Sequence, residues 1–128
     1  MNILVTGGAG FIGSSLIDRL LENKLSVYCL DNFNDFYNPL IKNKNIRHNL
    51  DNRNFTLIEG DILDKKLLRE IFDSNKIDLV IHLAAMAGVR PSIQNPPLYE
   101  KVNVEGTVNI LECMKEFDVK KMLFASSS

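Results

Sequence analysis

Four glycines among the first thirteen residues, Gly7, Gly8, Gly10 and Gly13, constrain this chain more than any other feature in it. They follow the short apolar run Ile3-Leu4-Val5, which reads as a buried strand. They lead into Phe11 to Asn23, where Ile12, Leu16, Ile17, Leu20 and Leu21 recur at helical spacing. A glycine turn between strand and helix lets backbone approach a bound group closely. It also leaves the N–H groups of the helix's first turn open to an anion.

The glycines satisfy two spacings at once, Gly8-x-Gly10-x-x-Gly13 and Gly7-x-x-Gly10-x-x-Gly13, and both are versions of a dinucleotide-binding fingerprint. An acidic residue completes it. Asp31 stands eighteen positions past Gly13, at the end of a second strand, Leu25 to Leu30. A carboxylate there can accept the hydroxyls of an adenosine ribose and repels a 2′-phosphate. No Arg follows closely, so NAD is the expected cofactor rather than NADP.

The rest of the chain repeats the alternation. Phe55 to Ile58, Leu79 to Leu83 and Lys121 to Ala125 read as three more strands. Asp64 is placed to cap a helix with the apolar stripe Leu67, Leu68, Ile71 and Phe72. A weak helix is expected around Leu40–Leu50, and a small-residue loop runs from Ala84 to Gly88. One long helix is expected from Pro96-Pro97 through Phe117, with Leu98, Val102, Val108, Leu111 and Met114 as its buried side. Short apolar strands separated by helices imply an α/β fold, a parallel sheet with helices on both faces.

Length and charge narrow the classes further. The 128 residues fit one domain, and 15 Lys and Arg against 16 Asp and Glu give no electrostatic case for a nucleic-acid or membrane partner. Cys29 and Cys113 are far apart and show no metal spacing, so two buried thiols in a reduced cytoplasmic protein are expected, and no metal. His82, inside an apolar strand, reads as a core histidine rather than a base. His48 sits among Lys42, Lys44, Arg47 and Arg53 in a stretch that reads as solvated, with a weak anion patch as the alternative.

With Thr6-Gly7-Gly8-Ala9-Gly10-Phe11-Ile12-Gly13 in place, the chain resembles the extended short-chain dehydrogenase/reductases, the NAD-dependent epimerase/dehydratase group. Asp31-Asn32-Phe33-Asn34-Asp35-Phe36-Tyr37, Gly60-Asp61-Ile62, His82-Leu83-Ala84-Ala85, Gly88-Val89-Arg90 and Val102-Asn103-Val104-Glu105-Gly106-Thr107 each match a family block. The likeness is greatest to UDP-glucuronate 4-epimerase-like nucleotide-sugar epimerases. It implies a Rossmann-type doubly wound sheet of strand order 3-2-1-4-5, with residues 1–128 as the NAD-binding N-terminal portion of a larger fold.

The resemblance also implies roles. Gly7, Gly10, Phe11, Ile12 and Gly13 would hold the diphosphate, Asp31 and Asn32 the adenosine ribose, and Asp61 and Ile62 the adenine. Leu83, Ala84 and Ala85 would let backbone lie close to the cofactor, and Asn103 would help hold the site around the nicotinamide side, with a solvated polar position as the alternative for Asn103. Arg90 would face the substrate's diphosphate or carboxylate, or else lie at the surface. Ser127 would bond the reacting sugar hydroxyl, with Ser126 next to it, unless the serines form only a turn. Met86 departs from the family, where many members carry a polar residue.

The implied activity is 4-epimerisation of a UDP-sugar through a 4-keto intermediate, by a homodimer. The family's Tyr-x-x-x-Lys pair is absent: Tyr28, Tyr37 and Tyr99 are followed four residues later by Asn32, Ile41 and Asn103. The chain is therefore expected to be a fragment that binds NAD without turnover. A non-catalytic NAD sensor and another oxidoreductase of the same superfamily are the alternatives.

Overall fold

A computed structural model describes residues 1–36 and 38–127. Tyr37 of the Asp31–Tyr37 block and the terminal Ser128 lie outside the described residues.

The elements follow in the order β1 (Asn2–Thr6), α1 (Phe11–Glu22), β2 (Ser26–Asp31), α2 (Pro39–Ile46), β3 (Phe55–Glu59) and α3 (Lys65–Asn75). Then come β4 (Leu79–His82), α4 (Val89–Gln94), α5 (Pro96–Glu100), α6 (Gly106–Glu116) and β5 (Met122–Phe124). A 3-10 turn, Arg47–Asn49, follows α2, and a π-helical turn, Lys101–Glu105, joins α5 to α6. The five strands form one parallel sheet in the order β3-β2-β1-β4-β5. That is the doubly wound arrangement, with β1 and β4 flanking the point where the winding reverses.

Alternation along β1 sends neighbouring side chains to opposite faces. Leu4 joins Leu30 and Val80 under α3 and α6, where Leu68, Phe72, Ile110 and Met114 complete one core. Ile3 and Val5 join Val27, Cys29 and Ile81 under α1, where Ile17 and Leu21 complete the other. Asp64 caps α3 by accepting from the Leu67 N–H at 3.0 Å.

The expected helix forms, running without a break from Pro96 through α5, the π turn and α6 to Glu116, but its expected buried side is only partly right. Asn95, with φ −141° and ψ 67°, leaves the helical region because Pro96 follows it. Its side chain accepts from the Leu98 N–H at 3.4 Å and starts α5 afresh. Nothing in the apolar spacing marks α4. Met114 is buried and Val102 packs against the core, but Leu98, Val108 and Leu111 are exposed. The inward positions of α6 are Gly106, Asn109, Ile110, Cys113 and Met114. A small and a polar residue hold that face because the chain at Ile62 presses on it. The Ile62 side chain fills the space a Gly106 side chain would need, and Asn109 Nδ2 donates to the Ile62 carbonyl at 3.1 Å. No helix among the described residues is long and apolar enough to cross a membrane.

Candidate functional site

The carboxyl ends of β1, β2 and β4 open onto a cavity of about 340 Å³, at the topological switch point. Gly7, Gly10, Phe11, Ile12 and Gly13 form its floor. Gly7 has φ +70°, and a side chain there would meet the Ala84 backbone nitrogen at 2.8 Å, so β1 and β4 approach too closely for any other residue. Gly10 caps α1 without a side-chain acceptor, and the first turn carries no acid. The uncapped N–H groups at the start of α1 therefore suit an anion. Of the two glycine spacings, the one through Gly7 lines the cavity. Gly8 instead faces the core, where Cys29 Sγ and Ile17 Cδ1 would stand 2.6 and 2.7 Å from an added Cβ.

At one end of the cavity Asp31 is 5% exposed and accepts from three donors, which leaves one of a carboxylate's about four acceptor positions for a ligand. Its Oδ2 accepts from the Ala9 N–H at 3.1 Å, and its Oδ1 accepts from the Phe33 N–H and Lys42 Nζ, each at 2.9 Å. Lys42 corrects the sequence reading: it is buried beside the cavity, not part of a solvated basic stretch. Asn32 reaches Asp61, donating to Oδ2 at 3.2 Å, while Asp61 Oδ1 accepts from the Leu63 N–H at 2.9 Å. Asp61 and Ile62 also line the cavity. Carboxylates, a cation and amide groups at one end and open amides at the centre set two polar stations in a largely apolar cleft, suited to a ribose followed by phosphates.

Leu83, Ala84 and Ala85 line the other end, which Thr6 and His82 hold from below. Thr6 Oγ1 accepts from the Leu83 and Ala84 N–H groups, both at 3.2 Å, and lies 2.6 Å from His82 Nδ1. His82 Nε2 lies 2.9 Å from Thr107 Oγ1. Asn103 stands behind this wall rather than in it. Its Oδ1 accepts from the Met86 N–H at 2.8 Å and its Nδ2 donates to the Met86 carbonyl at 3.0 Å. Thr6 and Thr107 fall within the matching sequence blocks but nothing in their spacing gives them this role, and Lys42 reads only as one cation of a basic stretch.

Arg90 is exposed on α4, outside the cavity wall. Ser126 and Ser127 are exposed beyond β5, where Ser126 Oγ donates to the Ser127 carbonyl at 3.4 Å. Their neighbour Ala125 lines the cavity. Cys29 and Cys113 are free and buried, and burial pushes the Cys29 thiol up to about 12, so it is an inert packing group.

Burial pushes the His82 imidazole from 6.5 down to about 4. Between those values the unfolded chain binds a proton that the folded chain does not. Stability therefore falls as pH drops from about 6.5 toward about 4. Urea denaturation should show a loss of about 2 kcal/mol from this one group between pH 7 and pH 5. A His82→Gln variant should lose that much less over the same interval. Equal losses in both proteins would overturn the assignment.

One family model, described as GDP-mannose 4,6 dehydratase, matches residues 4–128. The chain belongs to that family. A UDP-glucuronate 4-epimerase of Thermodesulfobacterium geofontis is 44% identical over 125 residues, covering 98% of this chain and 39% of that protein. The structure of Thermotoga maritima UDP-glucose 4-epimerase with UDP-glucose superimposes with TM-score 0.86 and 39% identity, covering 99% of this chain and 38% of that one. The Thermus thermophilus UDP-glucose 4-epimerase in complex with NAD gives 0.85 and 35%, covering 99% and 38%. The chain thus spans about two-fifths of the length of these family members.

Proposed function

We propose that the chain binds NAD and is the cofactor-binding part of a UDP-sugar 4-epimerase. The observation that carries this is the cleft itself: uncapped α1 amides at its centre and the Asp31 carboxylate at the end of β2. The matched epimerases, one of them solved with NAD, support the reading. NAD would supply hydride-transfer capacity to the site.

The α1 amides would hold the diphosphate. Asp31, with Lys42 and Asn32 beside it, would hold the adenosine ribose, and Asp61 with Ile62 would flank the adenine. The Leu83–Ala85 backbone, braced by Asn103 through Met86, would support the nicotinamide. Ser127 would bond the sugar hydroxyl, with Ser126 and Arg90 as further substrate contacts. A general base must be added to these groups for turnover, since no Tyr-x-x-x-Lys pair occurs among the 128 residues. Val104, Val108 and Leu111 are exposed along one side of the π turn and α6, and fit a homodimer contact. Two free, buried thiols suit the cytoplasm.

Calorimetry tests the reading. NAD should bind at least tenfold more tightly than NADP, because a 2′-phosphate would meet the Asp31 carboxylate. A preference for NADP, or no binding of either, would refute it.

A further inference from the structure

We propose that His82 and Thr107 are positioning residues which set the height of the Leu83–Ala85 backbone beneath the nicotinamide half of the cofactor. The proposal rests on the NAD-binding reading above and deepens it.

The hydrogen bonds favour one arrangement of protons. Thr6 Oγ1 accepts from the Ala84 N–H and shares the Leu83 N–H with the Thr6 carbonyl, so its own proton goes to His82 Nδ1, 2.6 Å away. A neutral ring with Nδ1 as acceptor carries its proton on Nε2. That proton is donated to Thr107 Oγ1 at 2.9 Å, and Thr107 donates in turn to the Asn103 carbonyl at 2.7 Å. The chain of bonds begins at the cavity wall, passes through the sheet and ends in the π turn. From there the Asn103 amide returns to the wall by holding both backbone groups of Met86. The wall is thus tied at both ends to one segment, and His82 joins the two ties.

Position decides which half of the ligand feels this. Asp31 and the α1 amides lie on the β2 and β1 side, so a dinucleotide seated on them runs on over the end of β4, past Leu83 and Ala84. Loss of the Thr107 hydroxyl takes the acceptor from Nε2–H and frees the ring to turn or change tautomer. Thr6 and the amides above it then shift. The adenosine side has separate supports in Ala9, Phe33 and Lys42.

Binding of NAD and of ADP to the full chain, followed by calorimetry, separates the possibilities. Thr107→Val should weaken NAD about tenfold and ADP less than twofold, and Thr107→Ser should restore NAD affinity. Equal weakening of both ligands, or no change in either, would overturn the proposal while leaving the NAD reading intact. Failure of the unaltered chain to bind ADP would instead remove that reading and the proposal with it. The ring nitrogen-15 shifts of His82 in the unaltered chain give a check that needs no variant. They should report a protonated Nε2 and a bare Nδ1, and the opposite tautomer would overturn the proposal.

Discussion

Gly13→Ala should abolish measurable NAD binding and destabilise the chain by about 3 kcal/mol, near the upper end of overpacking costs. A Cβ at Gly13 would overlap the Gly7 carbonyl oxygen and stand 2.7 Å from Gly8 Cα and 3.1 Å from Gly8 C. All three neighbours are backbone of the turn, so no side chain can swing aside. The collision can be relieved only by moving α1 away from β1. That displacement carries off the amides proposed to hold the diphosphate and loosens Ile17 and Leu21 from the core under the sheet. Denaturation in urea and calorimetry with NAD measure the two effects. An alanine variant with the original midpoint and affinity would show that the close approach at Gly13 is unnecessary.

Asp31→Ala should cost roughly 3 kcal/mol in stability and at least a hundredfold in NAD affinity, by analogy with broken buried ion pairs. Three donors lose their acceptor together: the Ala9 N–H, the Phe33 N–H and Lys42 Nζ. The Lys42 side chain is buried and would lose a counter-charge 2.9 Å away. Ala9 lies in the glycine turn, so freeing its amide also loosens the loop that shapes the diphosphate floor. Asp31→Asn keeps a side-chain oxygen and the same shape, and should lose less stability than the alanine variant. An Asp31→Ala protein that binds NAD as before would remove Asp31 from the site.

Much of the framework was legible because its signals are local. The glycine turn, the Asp64 cap and the alternation of apolar strands with amphipathic helices all lie within a few residues of what they control. They were enough for the parallel sheet, the family resemblance and most of the cavity lining. The helix after Pro96 was legible only in outline. Apolar spacing placed Val108 and Leu111 inside, whereas the inward face carries Gly106 and Asn109 for their fit to Ile62. Hydrophobicity cannot reveal a face chosen for closeness and for one amide bond.

Local signals alone give the order of the five strands, the place of the anion-binding turn and the acidic residue at the end of β2. Each depends on short-range backbone preference and on the period of apolar residues. Which glycine faces the cavity and which faces the core follows from the packing of α1 against the sheet, not from the spacing. Only the tertiary structure brought Lys42 to Asp31, Thr107 to His82 and Asn103 to Met86, across 11, 25 and 17 positions of chain. Those pairs form where parallel strands end side by side and the helices that follow fold back over them. Nothing in the spacing of the residues encodes such meetings; the crossing of the chain over its own sheet does.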